Sequence, residues 1–555
     1  MKRYMTILAV ALTAVMMTSC LSEDPRDQLY EDDIYNSANN IYVNAVAVLY
    51  NYIGGSADSE GLQGTCRGIY DYNTLTTDEA MIPIRGGDWY DGGLWENMYQ
   101  HKWSPNDLPL YNTWKYLYKV VVLSNKSLYI IDKYSHYLTE EQRMAYEAEV
   151  RAIRALFYYY IMDMYGRVPV VISYEQPQEI VQSERSEVFR FIVDELQEVA
   201  ELLPNERSNK MGNYYGRITK PVVHFLLAKL VLNAEVYCDD NWTDGVPQNG
   251  KEIFFTVDGE QLNAWQTCIR YCDKLSEAGY LLEDDYSYNF AVHNENSNEN
   301  IFTIPLDKNL YAAQFWYLFR SRHYNHGGAL GGSSENGTSA NISTVLAYGY
   351  GTDEVDARFE KNFYAGVVEV DGKPVMMDNG EPLEYFPLEL KLNLTGSLYV
   401  KTAGARMAKY EVDRTSHSDG RQPDNDIVLF RYADALLMKA EAKVRNGEDG
   451  SLELNEVRGR VGMPHREATL DNILQERLLE LVWEGWRRQD MVRFGIYHTS
   501  YDQRTQLPEE KSGYTTVFPI PQRSIDLNPR LKQNVGYKIN ESKHINRRGC
   551  ELLSN

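Results

Sequence analysis

Apolar residues recur at three- and four-residue spacing through segment after segment of this sequence, and each recurrence marks one buried helix face. Val150, Ile153, Phe157, Tyr160, Ile161 and Met164 share such a face, and Gly166 and Pro169 end the run. Val188, Ile192, Leu196, Val199 and Leu203 make the next, stopped by Pro204. Val223, Leu226, Leu227, Leu230, Val231 and Ala234 follow Thr219 as an N-cap and Pro221 in the first turn. A further helix is predicted over 264–278, where Cys268 and Cys272 share a face as core thiols. Ala433, Leu436, Leu437, Ala440 and Val444 predict another, closed by Gly447; Leu470, Ile473, Leu474, Leu478, Leu481 and Val482 predict the last. A one-sided helix must cover its apolar stripe with a neighbour. Helix pairs separated by turns between the 180s and 270s therefore predict stacked helical hairpins, whose packing loosely resembles the tetratricopeptide arrangement. The expected fold class is mostly α, with minor β, on a helical scaffold spanning 30–285 and 426–500.

Two stretches break the pattern, 54–110 and 287–425. The second is rich in Gly, Asn, Ser and Asp, with G-G-A-L-G-G-S-S-E-N-G at 327–337 and a strand-like piece from Val367 to Val370 beside an acidic turn. Long loops on a rigid scaffold are where binding function collects. Both stretches carry clustered aromatics from a chain that holds 43 Tyr and 9 Trp. Sugars are bound by stacking their C–H faces on such rings and by hydrogen bonds from hydroxyls to Asn, Asp, Gln and Arg. Segment 77–97, T-D-E-A-M-I-P-I-R-G-G-D-W-Y-D-G-G-L-W-E-N, offers Arg85, Asp88, Trp89, Tyr90 and Trp95 among four glycines that can shape a concave loop. Segment 314–326, Q-F-W-Y-L-F-R-S-R-H-Y-N-H, offers Trp316, Tyr317, Arg320 and Tyr324. The same rings also suit packing of loops onto helices.

The formal charge of −23 argues against nucleic acid or an anionic lipid surface as a partner. Lys2 and Arg3, an apolar run from Ile7 to Met17, and M-T-S-C ending at Cys20 describe a secretory signal over 1–19 with lipid attachment at Cys20. The run is too short to span a bilayer, for which about 20 apolar residues are needed. Five further cysteines without repeating spacing show no disulfide framework.

Catalytic signatures such as H-E-x-x-H, G-x-S-x-G and the phosphate loop are missing from the sequence. Glu476 and Glu480 stand one helical turn apart, as an acid/base pair or as plain surface. Asp424 and Asp426 mark a turn that could hold calcium. Arg151, Arg154, Arg487, Arg488 and Arg493 lie at helical spacing from Glu147, Glu149, Glu480, Glu484 and Asp490, so ion pairs between helices are expected of them. No cofactor and no resident metal are expected.

The segment E-V-R-A-I-R-A-L-F-Y-Y-Y-I-M-D-M-Y-G-R-V-P at 149–169 resembles the RagB/SusD nutrient-binding outer-membrane lipoproteins. So do G-R-I-T-K-P-V-V-H-F-L-L-A-K-L at 216–230, D-I-V-L-F-R-Y-A-D-A-L-L-M-K-A-E-A at 426–442 and L-N-E-V-R-G-R-V-G at 454–462. E-R-L-L-E-L-V-W-E-G-W-R-R-Q-D-M-V-R-F-G at 476–495 and F-P-I-P at 518–521 complete the series in family order. The resemblance implies one SusD-like domain over 20–555, anchored by lipid to the outer membrane and facing the outside. It implies an oligo- or polysaccharide ligand and a SusC-like TonB-dependent transporter as partner, with ligand contacts in the 77–97 segment. The acidic S-E-D-P-R-D at 22–27 is similar to a surface-export signal of such lipoproteins, and equally reads as a solvated tail. Three function classes stay open: a glycan-capturing lipoprotein, a surface glycoside hydrolase, and a lid or adhesin with little ligand affinity of its own.

Overall fold

The stripes become helices that pack in chain order. In the computed structural model, which describes residues 30–63, 65–175, 179–310, 319–416 and 423–537, α1 (Leu108–Lys133) packs on α2 (Glu140–Tyr165). α2 then packs on α3 (Arg185–Ala200), α3 on α4 (Lys220–Leu232), and α4 on α5 (Ala264–Glu277). This is the stack of helical hairpins that the periodicity implies, in a tetratricopeptide-like arrangement. Thr139 with Gln142 and Asn263 with Gln266 form reciprocal capping boxes that start α2 and α5. Thr219 does stand at the N-cap of α4, but its hydroxyl makes no capping bond. α1 carries apolar residues on several faces, Leu110, Trp114, Leu117, Val120 and Val121 among them, so it shows no clean stripe. Cys268 and Cys272 are buried within α5. The signal segment with Cys20, and Trp316 and Tyr317, lie outside the described residues.

The stack continues across a long detour. α5 packs against α6 (Tyr432–Asn446), which packs in turn on α7 (Ser451–Arg460) and α8 (Leu470–Leu481). α6 stops at Gly447, whose φ of +93° needs a residue without a Cβ. All of the second loop-rich stretch therefore issues from between two adjacent helices. Its base is clamped by an antiparallel ladder of Asn300–Ile304 with Ile427–Arg431, buried on both faces. The first loop-rich stretch docks on the second: Ala80 pairs with Ala340, Met81 with Ser339, and Ile84 bridges to Asn393. Two segments far apart in sequence thus build one face.

Beneath that face the charges are buried and paired. Arg431 reaches Glu299 at 2.7 Å, Glu480 at 2.7 Å and Glu484 at 2.7 Å; Arg358 reaches Glu476 at 2.7 Å and Glu480 at 2.8 Å. Glu476 and Glu480 are accordingly interior ion-pair partners, held away from any substrate. The arginines read as helix ties do tie helices, but mostly over long range: Arg487 pairs with Asp78, Arg488 with Asp163, Arg154 with Glu195, and Arg493 with Glu441. A guanidinium facing a helix interface meets carboxylates of the neighbouring element, where its forked donors match them two by two. Glu149, in the middle of α2, accepts from Arg217 at 2.6 Å and from the Tyr50 hydroxyl at 2.5 Å. Among the described residues no helix is long and apolar enough to cross a membrane.

Candidate functional site

The loop Arg85–Gly86–Gly87–Asp88 is a tight reversal closed by paired backbone bonds, Arg85 N–H to Asp88 at 3.0 Å and Asp88 N–H to Arg85 at 3.3 Å. Gly86, at φ +72°, allows the turn. It throws Trp89 outward, with φ at +63°. Arg67 at +58° and Asp91 at +41° share this left-handed conformation, which costs a residue with a side chain on the order of 1–3 kcal/mol. Strain of that kind persists only where the surroundings over-determine it, and here they do. The Trp89 indole N–H donates to the Glu335 carbonyl at 3.0 Å, and its ring meets Trp95 edge-on at 6.0 Å.

Trp95 forms the floor rather than the surface, being only 1 % exposed. Its indole N–H donates to Asp91 at 2.8 Å, and the guanidiniums of Arg67 and Arg320 each lie 5.5 Å from its centroid. Arg320 is buried as well, forked onto Asp71 at 2.6 and 3.1 Å with its Nε donating to Thr338 at 2.9 Å. Arg67 joins Asp58 at 2.7 Å to Asp91 at 2.9 Å. Arg85 points inward, donating to the carbonyls of Val400 and Ala403 and to the Ser339 hydroxyl. Burial and the nearby Arg406 hold its pKa well below the usual guanidinium value. Arg85, Trp95 and Arg320 thus build the wall and do not present a surface to ligand, because each is enclosed by partners from the other loop-rich stretch or the 58–71 segment.

The second wall is the six-residue helix Tyr324–Ala329, whose N-cap His323 accepts from Asn325 N–H at 3.2 Å. Tyr324 is 41 % exposed and its hydroxyl donates to Asp88 at 3.1 Å. Burial, and then the Asp88 carboxylate, raise the phenol above its ordinary pKa. Between the walls lies an open cleft of about 360 Å³ lined by Cys66, Arg67, Asp88, Trp89, Asp91, Tyr324 and Glu335. Of the residues read from sequence, the structure brings Asp88, Trp89 and Tyr324 together here; Tyr90 is exposed beside Trp89. Asp91 and Glu335 sit inside segments already marked by their aromatics and glycines, whereas nothing local in the sequence distinguishes Arg67. Cys66 is a buried thiol pushed up to about 12 by desolvation. The cleft offers ring faces flanked by carboxylate acceptors and guanidinium donors, the arrangement a hydroxyl-rich ligand requires. Asp424 pairs with Lys308 and Asp426 is enclosed by Tyr215, Thr303 and the Leu306 N–H. Among the described residues no cluster of three or more His, Cys, Asp or Glu is grouped to hold a metal ion.

Fold and cleft define a class: a tetratricopeptide-like helical scaffold carrying a loop-built aromatic cleft. Two family profiles match the chain, one described as the SusD family over residues 394–537 and one as "Starch-binding associating with outer membrane" over residues 63–232. Over both of these segments the chain is similar to the SusD family. The starch-binding protein SusD of Bacteroides thetaiotaomicron is 25 % identical over 96 % of this chain and 98 % of its own length. SusD-like protein P25 of Formosa agariphila is 23 % identical over 96 % of this chain and all of its own. Among solved structures, the surface glycan-binding protein A of Bacteroides thetaiotaomicron, in complex with laminarihexaose, covers 89 % of this chain and 99 % of its own, with a TM-score of 0.67 at 21 % identity. A SusD-like carbohydrate-binding protein from Bacteroides fragilis covers 90 % and 100 %, with a TM-score of 0.68 at 18 % identity. Three of these four are named as binding proteins.

Proposed function

We propose that this protein is a surface glycan-binding lipoprotein that captures oligo- or polysaccharide in the Trp89–Tyr324 cleft. It passes the ligand to a SusC-like TonB-dependent transporter and is held to the outside of the outer membrane by lipid on Cys20. The observation that carries the reading is the pairing of an exposed Tyr324 and a half-buried Trp89 across a cleft whose remaining lining is charged or polar. Relatives named for starch binding and for a complex with laminarihexaose support a glucan as the first ligand to try. Asp88, Asp91 and Glu335 in the lining favour neutral sugars, since a uronate or sulfate group would meet like charge there. The family's description as outer-membrane associating supports the location.

Affinity electrophoresis of the soluble chain lacking residues 1–20, in gels containing starch, laminarin and other neutral polysaccharides, tests the reading. At least one polysaccharide should retard the wild type, and Trp89→Ala should run as if no polysaccharide were present. Release of reducing ends from the retarding polysaccharide would instead favour a hydrolase. A wild type unretarded by any of them overturns the proposal.

A further inference from the structure

A second cleft of about 450 Å³ is lined by Asn325 and Ala329 of the short Tyr324–Ala329 helix together with Val370, Asp371, Lys373 and Met376 among others. Tyr324 faces the first cleft and Asn325 the second; their Cα atoms are about 3.8 Å apart, one peptide step. The two clefts therefore adjoin along this short helix, which forms a ridge between them.

That ridge is fixed from both sides. Tyr324 is bonded to Asp88 in the first wall. Asn325 donates its amide to the Met376 carbonyl at 2.9 Å and to Asp378 at 3.2 Å. Just before them, the His323 N–H donates to the Tyr385 hydroxyl at 2.8 Å. Tyr385 belongs to a small separate apolar cluster with Val368, Val375 and Leu383, which sets the hairpin Glu369–Val370 and Lys373–Pro374 against the ridge. The hairpin turns at Asp371 and Gly372, both at positive φ, and Asp371 is paired with Arg414 at 2.8 Å. A surface held by this many cross-links exists before ligand arrives, so binding there pays little ordering cost.

The lining has the same mixed character as the first cleft in aliphatic form. Met376, 48 % exposed, and the Pro374 ring offer apolar faces, with Lys373 and Asp371 as donor and acceptor beside them. We infer that the second cleft is a further glycan subsite, which takes the sugar units that continue over the ridge from the Trp89–Tyr324 cleft. The ligand is then an extended stretch of polysaccharide rather than a mono- or disaccharide. This rests on the glycan-binding reading above.

The test uses the soluble chain and a size ladder of oligosaccharides cut from whichever polysaccharide retards it, titrated by calorimetry. Wild-type affinity should keep rising with chain length after the first cleft is filled. Lys373→Ala combined with Met376→Ala should weaken the longest oligosaccharides about five- to tenfold and leave the shortest within about twofold. Tyr324→Ala should weaken every length. If short and long oligosaccharides bind alike, or the double variant matches wild type at every length, the second subsite is wrong while the first cleft stands. If no polysaccharide binds at all, both readings fall together.

Discussion

The Tyr324 hydroxyl donates to the Asp88 carboxylate at 3.1 Å, joining residues 236 positions apart in the chain. One contact thereby connects the two loop-rich stretches at the surface where ligand would lie. It anchors the Tyr324 side chain through its hydroxyl while the residue stays partly exposed, which is the state a stacking residue needs before it meets a sugar.

Separating ring from hydroxyl tests that relationship. Tyr324→Phe keeps the face and loses one hydrogen bond, a change of about 0.5–1.5 kcal/mol, so ligand affinity should fall about two- to tenfold. Tyr324→Ala loses the face too and should fall further. Asp88→Asn retains an acceptor and should resemble wild type more closely than Asp88→Ala does. Calorimetry on the bound polysaccharide's oligosaccharides reads all four; equal affinities for the Phe and Ala variants would remove the ring from the account.

Arg320 and Asp71 make the corresponding contact below the surface, and their loss should be felt as stability. Both side chains are buried, and removing one partner of such a pair strands the other charge at a cost of about 3–5 kcal/mol. Arg320→Met should therefore lower the thermal midpoint and alter the fluorescence of Trp95, which stands over the guanidinium. Adding Asp71→Asn should recover part of the loss. A single variant that melts with wild type would show that the pair is dispensable.

These two contacts also show where sequence reasoning stops. Helices from Glu140 to Tyr165 and from Tyr432 to Asn446 were legible because burial of one face writes itself into local spacing. The cleft segments were legible through their rings and glycines. Which ring faces out was not, because it is decided by residues distant in the chain. Trp95 and Trp89 lie six positions apart in the same segment, yet Arg67 and Arg320 close over the first and leave the second half open. Likewise Glu480 sits one helical turn from Glu476, and only the fold reveals Arg358, Arg431 and Arg460 around it.

Glu79 gives the fold a pH dependence of a definite sign. It is enclosed, its carboxylate accepting from the Trp483 N–H at 2.9 Å, and burial pushes its pKa up to about 8 from an ordinary 4.5. Between those values the native chain holds a proton that the unfolded chain has lost, so stability from this group falls as pH rises from about 4.5 to about 8. The slope is at most about 1.4 kcal/mol per pH unit. Glu79→Gln keeps an oxygen for Trp483 and cannot ionise. Its melting temperature should overtake that of wild type as pH rises from 5 to 8.5; parallel curves would show that Glu79 does not govern the dependence.

Gly337 lies under the ring of Trp89, and a single methyl group there should disable the cleft without unfolding the protein. A Cβ at this position would stand 2.7 Å from the Trp89 ring and 3.0 Å from the Arg320 side chain. Backbone strain is not the issue, since Gly337 is absent from the positive-φ glycines. The ring, half-exposed and already in a left-handed backbone, is the part free to yield. Gly337→Ala should tilt it away from Tyr324 and break its bond to the Glu335 carbonyl. Overpacking in a tight site costs about 1–3 kcal/mol, a small part of what a scaffold of this size contributes through its helical stack. The expected result is a melting temperature within a few degrees of wild type and a tenfold or greater loss of polysaccharide retardation, about 1.4 kcal/mol or more. Full retention of binding would mean that the Trp89 face plays no part in holding ligand.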